Sequence, residues 1–411
     1  MKISDEATTS RRMFLRFLAQ SPLGAMIGLS VSCGGAASGP FVRGETLISS
    51  PQEAVNVFDF QRVAESTLPS AHYSYIATGV LGDETLTANR TGFRKFQLRV
   101  RRLIDIGRID LTTDILGTQW KTPIVIAPVG SQRAFHPEGE VAVAKAARSR
   151  EHLQILSTVT TTSVEDVNKA RGIPVWYQLY PTSEWRNAEA LLKRAEKAGC
   201  PVLVLTVDLQ GGSSRETLMR SIPADPRDCS TCHGAPDDWV TYVQRKPMFN
   251  GLDVSDIKGL VMPNMTWEFI NRIKDTVNMQ VVVKGIVTRE DAELCVKHGA
   301  DGIIVSNHGG RAEESGRSTI ECLPEVLEAV EGQLPVLIDS GFRRGTDIFK
   351  ALALGATAVC IGRPYLWGLA AFGQEGVETV LDLLRAELEM VMRQAGTPSI
   401  DAIGPSQIVR G

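Results

Sequence analysis

The chain has 411 residues, 43% of them hydrophobic and 22% charged, with 44 Lys and Arg against 47 Asp and Glu. This length supports a sizeable core and roughly two or three ordinary domains, or one large one. The net charge of −3 excludes an overall nucleic-acid-binding character, and the composition excludes disordered, collagen-like and disulfide-framework chains. The seven cysteines are spread thinly, and only Cys229 and Cys232 lie close together.

The first 38 residues have the pattern of an export signal. Arg11 and Arg12 precede a short apolar stretch at 23–31 and then small residues, as in a twin-arginine signal peptide. Lipidation of Cys33 and a basic N-terminal helix are the alternatives. We expect a signal peptide over residues 1–38 and an exported, periplasmic protein, with Cys33 as a candidate site for a lipid anchor.

From residue 122 onward, short β-branched runs alternate with helical stretches. Near-continuous apolar runs such as residues 202–205 are typical of strands buried on both faces. Eight strands are predicted at 122–129, 153–158, 174–180, 201–208, 280–285, 302–307, 335–340 and 358–363. This order predicts an α/β fold, a (β/α)8 TIM barrel over 122–411, with an N-terminal helical cap at 39–121. A doubly wound sheet is the alternative, but no Gly-x-Gly-x-x-Gly motif follows the first strand.

The longest connection, about 209–265, follows the fourth strand and is predicted to be a lid loop. Cys229, Cys232 and His233 have the Cys-x-x-Cys-His spacing of covalent c-type haem, and Met248 downstream is a candidate axial ligand. A haem at this place would take electrons from a neighbouring cofactor. A local disulfide, a zinc-type pairing and an unoccupied dithiol are the alternatives. Apart from this motif, no metal site is predicted.

Polar residues gather at the carboxyl ends of the predicted strands, where TIM barrels place their chemistry. The strongest motif is residues 306–311, in which His308 is followed three residues later by Arg311. Histidine is a base near neutral pH, and arginine binds a carboxylate through two hydrogen bonds. The Gly- and Arg-rich ends of the last two strands, at 341–345 and 362–363, point to a phosphate site.

These residues resemble the FMN-dependent 2-hydroxy-acid dehydrogenases and oxidases, the family of glycolate oxidase, flavin L-lactate dehydrogenases and mandelate dehydrogenase. The resemblance covers about residues 64–408 and includes Tyr73-Ser-Tyr75, His136-Pro-Glu-Gly-Glu140, Gln178-Leu-Tyr180, Thr206-Val-Asp208, Val283-Lys284-Gly285 and Ser306-Asn-His-Gly-Gly-Arg311. It implies oxidation of a small, lactate-like (S)-2-hydroxy acid to the 2-oxo acid. Electrons would pass to FMN and then to a cytochrome, a quinone or O2.

The resemblance also implies residue roles. His308 would be the base, Asp208 the carboxylate that orients it, and Tyr180 would lie near the substrate hydroxyl. Tyr75, Arg311 and Arg215 would bind the substrate carboxylate. FMN would be held by Pro128, Val129, Gly130, Ser157, Gln178, Thr206, Lys284, Ser306, Asp339, Ser340, Gly341, Arg343, Gly362 and Arg363, with Lys284 at the flavin N1–C2=O edge and the last arginines at the phosphate.

Three positions depart from the family pattern: Val159 replaces a Trp of the glycolate-oxidase-like members, Gly130 replaces Ala, and Ser340 replaces Gly. A wider pocket is expected from Val159, and the substrate stays open among lactate, mandelate-like and longer acids. Export favours a dehydrogenase that feeds an envelope acceptor. The alternatives are an O2-using oxidase, a flavin-binding barrel with isomerase activity, and an idle barrel acting as a binding module. Family analogy implies a homo-oligomer.

Overall fold

Eight parallel strands close into a barrel, which confirms the predicted (β/α)8 fold. The computed structural model describes residues 46–225 and 238–411, and Leu47–Gly411 form one unit. Each strand overlaps its predicted range, because a strand buried on both faces has an unbroken apolar sequence. The barrel strands are β4 (Ile124–Ile126), β5 (Leu153–Ser157), β6 (Trp176–Leu179), β7 (Val202–Thr206), β8 (Gln280–Ile286), β9 (Gly302–Val305), β10 (Val336–Ile338) and β11 (Ala358–Ile361).

Helices surround the barrel and precede it. Before the barrel lie α1 (Val57–Thr67), α2 (Ser70–Ala77) and α3 (Glu84–Thr91). The other helices are α4 (Gly139–Ser149), α5 (Val164–Arg171), α6 (Trp185–Lys197), α7 (Glu216–Ser221), α8 (Trp239–Gln244), α9 (Glu268–Lys274), α10 (Arg289–Lys297), α11 (Thr319–Val330), α12 (Gly345–Leu354) and α13 (Arg363–Ala395). Non-helical backbone at Phe372 and Gly373 divides α13 into two parts.

The apolar side chains divide between two cores. Strand residues such as Trp176 and Val204 point inward and fill the barrel, while their neighbours Tyr177 and Leu203 point outward against the helices. A hairpin of β2 (Thr113–Ile115) and β3 (Thr118–Trp120) precedes β4 and adds the fully buried Ile115 to the inner core. The barrel interior is therefore packed with side chains, and binding takes place at the loops.

Residues 47–121 contain short strands as well as helices. A capping box starts α1: Phe58 N donates to Asn56 Oδ1 at 2.9 Å, and Asn56 N donates to Asp59 Oδ2 at 3.2 Å. β1 (Phe96–Leu98) pairs with β12 (Ile408–Arg410) and so ties this segment to the end of the chain. These strands were not predicted from the sequence, because three residues are too few to show a period-two pattern.

The connection between β7 and β8 packs on the barrel through its described parts. Thr182 N and Ser183 N, after β6, donate to Leu260 O at 2.9 Å and to Gly259 O at 3.0 Å. Val243, within α8, is completely buried in the outer core. Over residues 46–225 and 238–411, no helix is long and apolar enough to cross a membrane.

Candidate active site

The carboxyl ends of the barrel strands surround a cavity with about 810 Å³ of empty space, part of it open to solvent. Parallel strands end at one rim, so residues far apart in sequence meet there. The predicted site residues that line the cavity are Tyr75, Pro128, Val129, Gly130, Ser157, Tyr180, Lys284, His308, Arg311, Asp339, Ser340, Gly341, Arg343, Gly362 and Arg363.

His308 and Asp208 form a hydrogen-bonded pair at this rim. His308 Nδ1 lies 2.9 Å from Asp208 Oδ1, and its Nε2 lies 3.2 Å from the Tyr180 hydroxyl. Burial alone would raise the pKa of Asp208, but the nearby His308 and Lys284 lower it by more than burial raises it. The carboxyl is therefore ionised. An ionised carboxylate only accepts hydrogen bonds, so Nδ1 donates to it and Nε2 keeps a lone pair. Burial, together with the charges of Lys284 and Arg311, lowers the pKa of His308 more than Asp208 raises it, which leaves the imidazole neutral and able to accept a proton.

The loop after β9 holds His308 against the N-terminal segment. His308 itself has a left-handed backbone with a φ of 58°. At Gly310, whose φ is 76°, a Cβ would lie 2.5 Å from the backbone nitrogen of Leu86 in α3. Val80 N donates to Gly310 O at 2.9 Å. Glycine is required at this position because the loop and α3 approach so closely.

A buried pair of amides also joins α3 to this loop. Asn89 Nδ2 donates to Asn307 Oδ1 at 2.8 Å, and Asn307 Nδ2 donates to Asn89 Oδ1 at 2.9 Å. Gly310 N donates to the same Asn307 Oδ1 at 3.0 Å. The backbone on both sides of His308 is therefore held by α3, which lies outside the barrel.

Lys284 supplies a buried positive charge at the end of β8. Its Nζ donates to Ser306 Oγ at 2.8 Å and lies 3.5 Å from Asp339 Oδ2 and 3.8 Å from Asp208 Oδ2. Burial favours the neutral amine, but the two carboxylates outweigh it and raise the pKa of Lys284. The ammonium therefore stays charged in the cavity wall.

Tyr75 of α2 lies among arginines. The Arg311 guanidinium is 4.4 Å from the centre of the Tyr75 ring, and that of Arg215 is 5.1 Å away. Burial would raise the pKa of Tyr75, but these cations together lower it. Arg215 Nη2 donates to the carbonyls of Tyr75 at 2.7 Å and Thr78 at 3.1 Å, so this side chain stands behind Tyr75, outside the cavity lining.

Two further arginines, Arg343 and Arg363, bring charge to the cavity wall. Arg343 Nη1 donates to Phe342 O at 2.8 Å, and Arg363 donates to Gly309 O at 2.9 Å and Thr78 O at 3.1 Å. Burial lowers the pKa of Arg343 to about 9 and that of Arg363 well below its usual value. Cations held in a low-dielectric wall by neutral carbonyls favour an anion in the cavity beside them.

The three positions that depart from the family pattern have definite surroundings. A Cβ at Gly130 would lie 2.4 Å from Val159 Cγ2, so Val159 occupies the space beside the glycine instead of leaving it open. Ser340 has a φ of 76°, and its hydroxyl donates to Asp339 Oδ1 at 2.6 Å and accepts from Gly309 N at 3.0 Å. Ser340 thus braces the loop that carries His308.

Some predicted residues lie beneath the cavity lining. Gln178 Nε2 donates to Thr206 Oγ1 at 2.9 Å, and Ser306 accepts from Lys284. Gln178, Thr206 and Ser306 form a buried polar layer. The lining also includes residues that were not predicted to bind: Ala127, Ile76, Phe342, Cys360, Ile361 and Leu366. Apolar residues such as these carry no sequence signal that separates them from the core.

Comparison with known proteins identifies the chain. The family model described as FMN-dependent dehydrogenase matches residues 64–410. The chain belongs to the FMN-dependent dehydrogenase family. The chain is 40% identical over 351 residues to a peroxisomal (S)-2-hydroxyacid oxidase of Arabidopsis thaliana, and the match covers 85% of this chain and 95% of the oxidase.

Two further similar proteins are also enzymes named for 2-hydroxy acids. A 2-hydroxyacid oxidase of Dictyostelium discoideum is 39% identical over 358 residues, covering 86% of this chain and 90% of the relative. The solved structure of a soluble mutant of the membrane-associated (S)-mandelate dehydrogenase from Pseudomonas putida superposes with a TM-score of 0.79 at 33% identity, covering 87% of this chain and 99% of that one. The family member is therefore an FMN-dependent oxidoreductase that acts on the CH–OH group of 2-hydroxy acids.

The cavity fits FMN in two respects. A Cβ at Gly362 would meet no atom within 4 Å, so the backbone after β11 borders open space. Arg343 and Arg363 place buried positive charge at the same end, which suits a phosphate group. Lys284, at the end of β8, adds a cation near Asp208 and Asp339.

The prediction of export is wrong. Relatives of this chain in Arabidopsis thaliana are named peroxisomal enzymes, which contradicts a periplasmic location, a twin-arginine signal and a lipid anchor at Cys33. Residues 1–38 lie outside the described residues. Paired arginines before a short apolar stretch form a short pattern with few constraints, so it also arises where no export takes place.

The Cys229, Cys232 and His233 motif also lies outside the described residues, and its haem stays a prediction. Met248, the candidate axial ligand, is completely buried in the outer core, which also contains Val243 and Phe249. Its thioether packs against apolar side chains, so the proposed axial role for Met248 is not supported.

Proposed function

We propose that the enzyme oxidises an (S)-2-hydroxy acid with an apolar, lactate-like side chain, with His308 as the base and O2 as the electron acceptor. The observation that carries this proposal is the His308–Asp208 pair, at 2.9 Å, beside Arg311 and Tyr75 in one cavity. A base next to a carboxylate-binding pair matches a substrate that has a hydroxyl and a carboxylate on adjacent carbons.

The protein residues divide the work of the reaction. Arg311 and the Tyr75 hydroxyl would bind the substrate carboxylate and so direct the 2-hydroxy carbon toward His308. His308 Nε2 would take a proton from the substrate, and Asp208 would stabilise the imidazolium that results. Tyr180, 3.2 Å from His308 Nε2, would hydrogen-bond the substrate hydroxyl.

FMN, when bound, accepts the two electrons that leave the 2-hydroxy carbon. The residues that would hold it are Pro128, Val129, Gly130 and Ser157 after β4 and β5 and Asp339, Ser340 and Gly341 after β10, and Arg343, Gly362 and Arg363 would hold its phosphate. The buried layer of Gln178, Thr206 and Ser306 would support the ring from below. Lys284 would supply a positive charge beside it.

The pocket wall supports the choice of an apolar side chain. Val129 and Val159 line the cavity beside Gly130, and Ile76 lines it next to Tyr75. An apolar wall binds a methyl group or a larger hydrocarbon better than it binds water, whereas glycolate has no side chain to bury. We therefore expect (S)-lactate or a larger (S)-2-hydroxy acid to react faster than glycolate.

O2 is proposed as the acceptor because two similar proteins are named oxidases. The former reason for a dehydrogenase, an exported location, no longer holds. A dehydrogenase is the second candidate, since the superposable Pseudomonas putida enzyme is named a mandelate dehydrogenase. The two are separated by hydrogen peroxide: an oxidase forms it in equal amount to the 2-oxo acid in air, and a dehydrogenase needs an added dye or quinone.

The first experiment is an anaerobic absorption spectrum of the purified protein before and after addition of glycolate, (S)-lactate or (S)-mandelate. Bleaching of the flavin bands is expected with (S)-lactate or (S)-mandelate, and a sharp band near that of reduced haem would show whether Cys229 and Cys232 carry one. In His308→Gln the flavin should stay bound while bleaching slows by about a hundredfold or more. Bound flavin that no 2-hydroxy acid bleaches would overturn the proposal.

A further inference from the structure

Lys246 is a buried lysine that none of the roles above uses. It follows α8 in the connection between β7 and β8, and the residue is 1% exposed. Ammonium groups are rarely buried, because removing them from water costs free energy that local contacts must offset. The family resemblance gave no role to this position, which lies inside the predicted lid loop.

Contacts connect Lys246 with the wall of the cavity. Its Nζ donates to Ser131 Oγ at 2.6 Å. Ser131 is adjacent to Gly130, and its own backbone N donates to Val159 O at 3.0 Å. The ammonium therefore binds the residue that directly follows Gly130, next to the part of the wall where Gly130 and Val159 approach each other.

The turn that starts at Ser131 continues to Tyr75. Ala134 N donates to Ser131 O at 2.9 Å, and the next residue, Phe135, places its ring 6.2 Å from the Tyr75 ring. His72, three residues before Tyr75 in α2, has Nδ1 2.7 Å from Ala134 O. Packing and a hydrogen bond therefore connect the Ser131 turn with α2 and with the Tyr75 ring.

Charge gives a second connection. Lys246 is one of the cations, after Arg311 and Arg215, that lower the pKa of Tyr75. The ring of Tyr242 in α8 lies 4.6 Å from Lys246 Nζ, and Tyr180, after β6, lines the same cavity as Tyr75. These groups thus come from three parts of the chain: the ends of β6 and β9, and the connection after β7, to which Lys246 belongs together with Arg215 and Tyr242.

We propose that Lys246 is a positioning residue for substrate binding, which holds Tyr75 ready for the substrate carboxylate through the Ser131 turn and through its charge. This inference rests on the proposed function, because it requires Tyr75 to bind the substrate. It gives the connection after β7 a direct part in recognition: the carboxylate site is complete when α8 and Lys246 are in place.

The test compares Lys246→Met with Lys258→Met, which removes an exposed lysine from the same connection. Steady-state rates are measured with whichever of glycolate, (S)-lactate and (S)-mandelate bleaches the wild-type flavin fastest. Lys246→Met is expected to raise KM about tenfold, the cost of a lost charged hydrogen bond, while kcat changes much less. Lys258→Met should behave like the wild type, and Lys246→Arg should restore most of the affinity.

The pH profile separates positioning from a general loss of structure. Tyr75 must keep its proton to donate to a carboxylate, and removing a nearby cation raises the pKa of a phenol. In Lys246→Met the alkaline limb of kcat/KM should therefore move to higher pH, and Lys246→Arg should return it. Arg311, Arg215 and Tyr180 also face Tyr75 and are unchanged in these variants.

The outcomes are distinct. If the wild-type enzyme bleaches with none of the three acids, the proposed function fails. If it does bleach, but Lys246→Met matches Lys258→Met in KM and in the alkaline limb, the role of Lys246 is overturned. Should Lys246→Met not fold, Ser131→Ala removes the same hydrogen bond from the other side and should raise KM without a change in the alkaline limb; an unchanged KM would overturn the contact route.

Discussion

Asp208 acts on His308 in two ways, through a hydrogen bond and through its charge. It fixes the imidazole through the 2.9 Å hydrogen bond, and its charge raises the pKa of His308 against the larger lowering caused by burial. Because His308 must be neutral to accept a proton, the acid limb of kcat/KM should lie below the usual histidine pKa of 6.5. In Asp208→Asn the raising effect is lost, so the acid limb should move to lower pH while kcat falls by about a hundredfold or more.

Asp339→Asn is the matched control for Asp208→Asn, because both carboxylates face Lys284 but only Asp208 contacts His308. Its acid limb should stay where the wild type has it. The measurement is kcat/KM between pH 5 and 9 for the three proteins, with flavin content determined by absorbance. An acid limb that moves upward in Asp208→Asn would contradict the assignment of His308 as the base.

Helix α3 supports the catalytic loop from outside the barrel. The two hydrogen bonds between Asn89 and Asn307 are buried, so Asn89→Ala leaves an amide without its partner. We expect a loss of about 1–3 kcal/mol in the free energy of unfolding and a lower kcat, since the backbone beside His308 is less well held. Chemical denaturation and steady-state kinetics measure the two effects.

A double-mutant cycle with Asn307→Ala tests whether the pair is the cause. If it is, the double variant should be less destabilised than the sum of the single variants, because neither side-chain amide is then left buried without the other. Thr91→Ala, at the exposed end of the same helix, is the control and should be near neutral. Additive losses in the cycle would show that α3 supports the loop by other contacts.

The same element shows how far the sequence predicts the fold and the site. The strands and the polar residues at their ends follow from periodicity, because each is a local pattern and the barrel places all strand ends at one rim. The support of His308 by Asn89 and Val80, and the contact of Lys246 with Ser131, join residues more than a hundred positions apart and leave no local pattern. Arg215 was predicted in the pocket, but its hydrogen bonds to the carbonyls of Tyr75 and Thr78 place it behind.

On the scale of the whole molecule, the cavity connects the cofactor to the stability of the fold. The lining brings Lys284, Arg343 and Arg363 together from β8, β10 and β11, and burial lowers the pKa of both arginines. Because a bound anion offsets this burial of charge, FMN should stabilise the folded protein more than its ring contacts alone would. A hundredfold excess over Kd stabilises by about 2.7 kcal/mol, which is a rise of a few degrees in Tm.

Riboflavin separates the phosphate from the ring, since it has the same isoalloxazine and no phosphate. Flavin-depleted protein should melt several degrees below the holoenzyme and recover with FMN. It should recover less with riboflavin at the same ligand concentration, because the Kd for riboflavin is larger without the phosphate contacts. In Arg363→Met the difference between the two ligands should shrink, because the guanidinium that would meet the phosphate is gone. Equal binding free energies for FMN and riboflavin in the wild type, measured by fluorescence titration, would place the phosphate somewhere other than between Arg343 and Arg363.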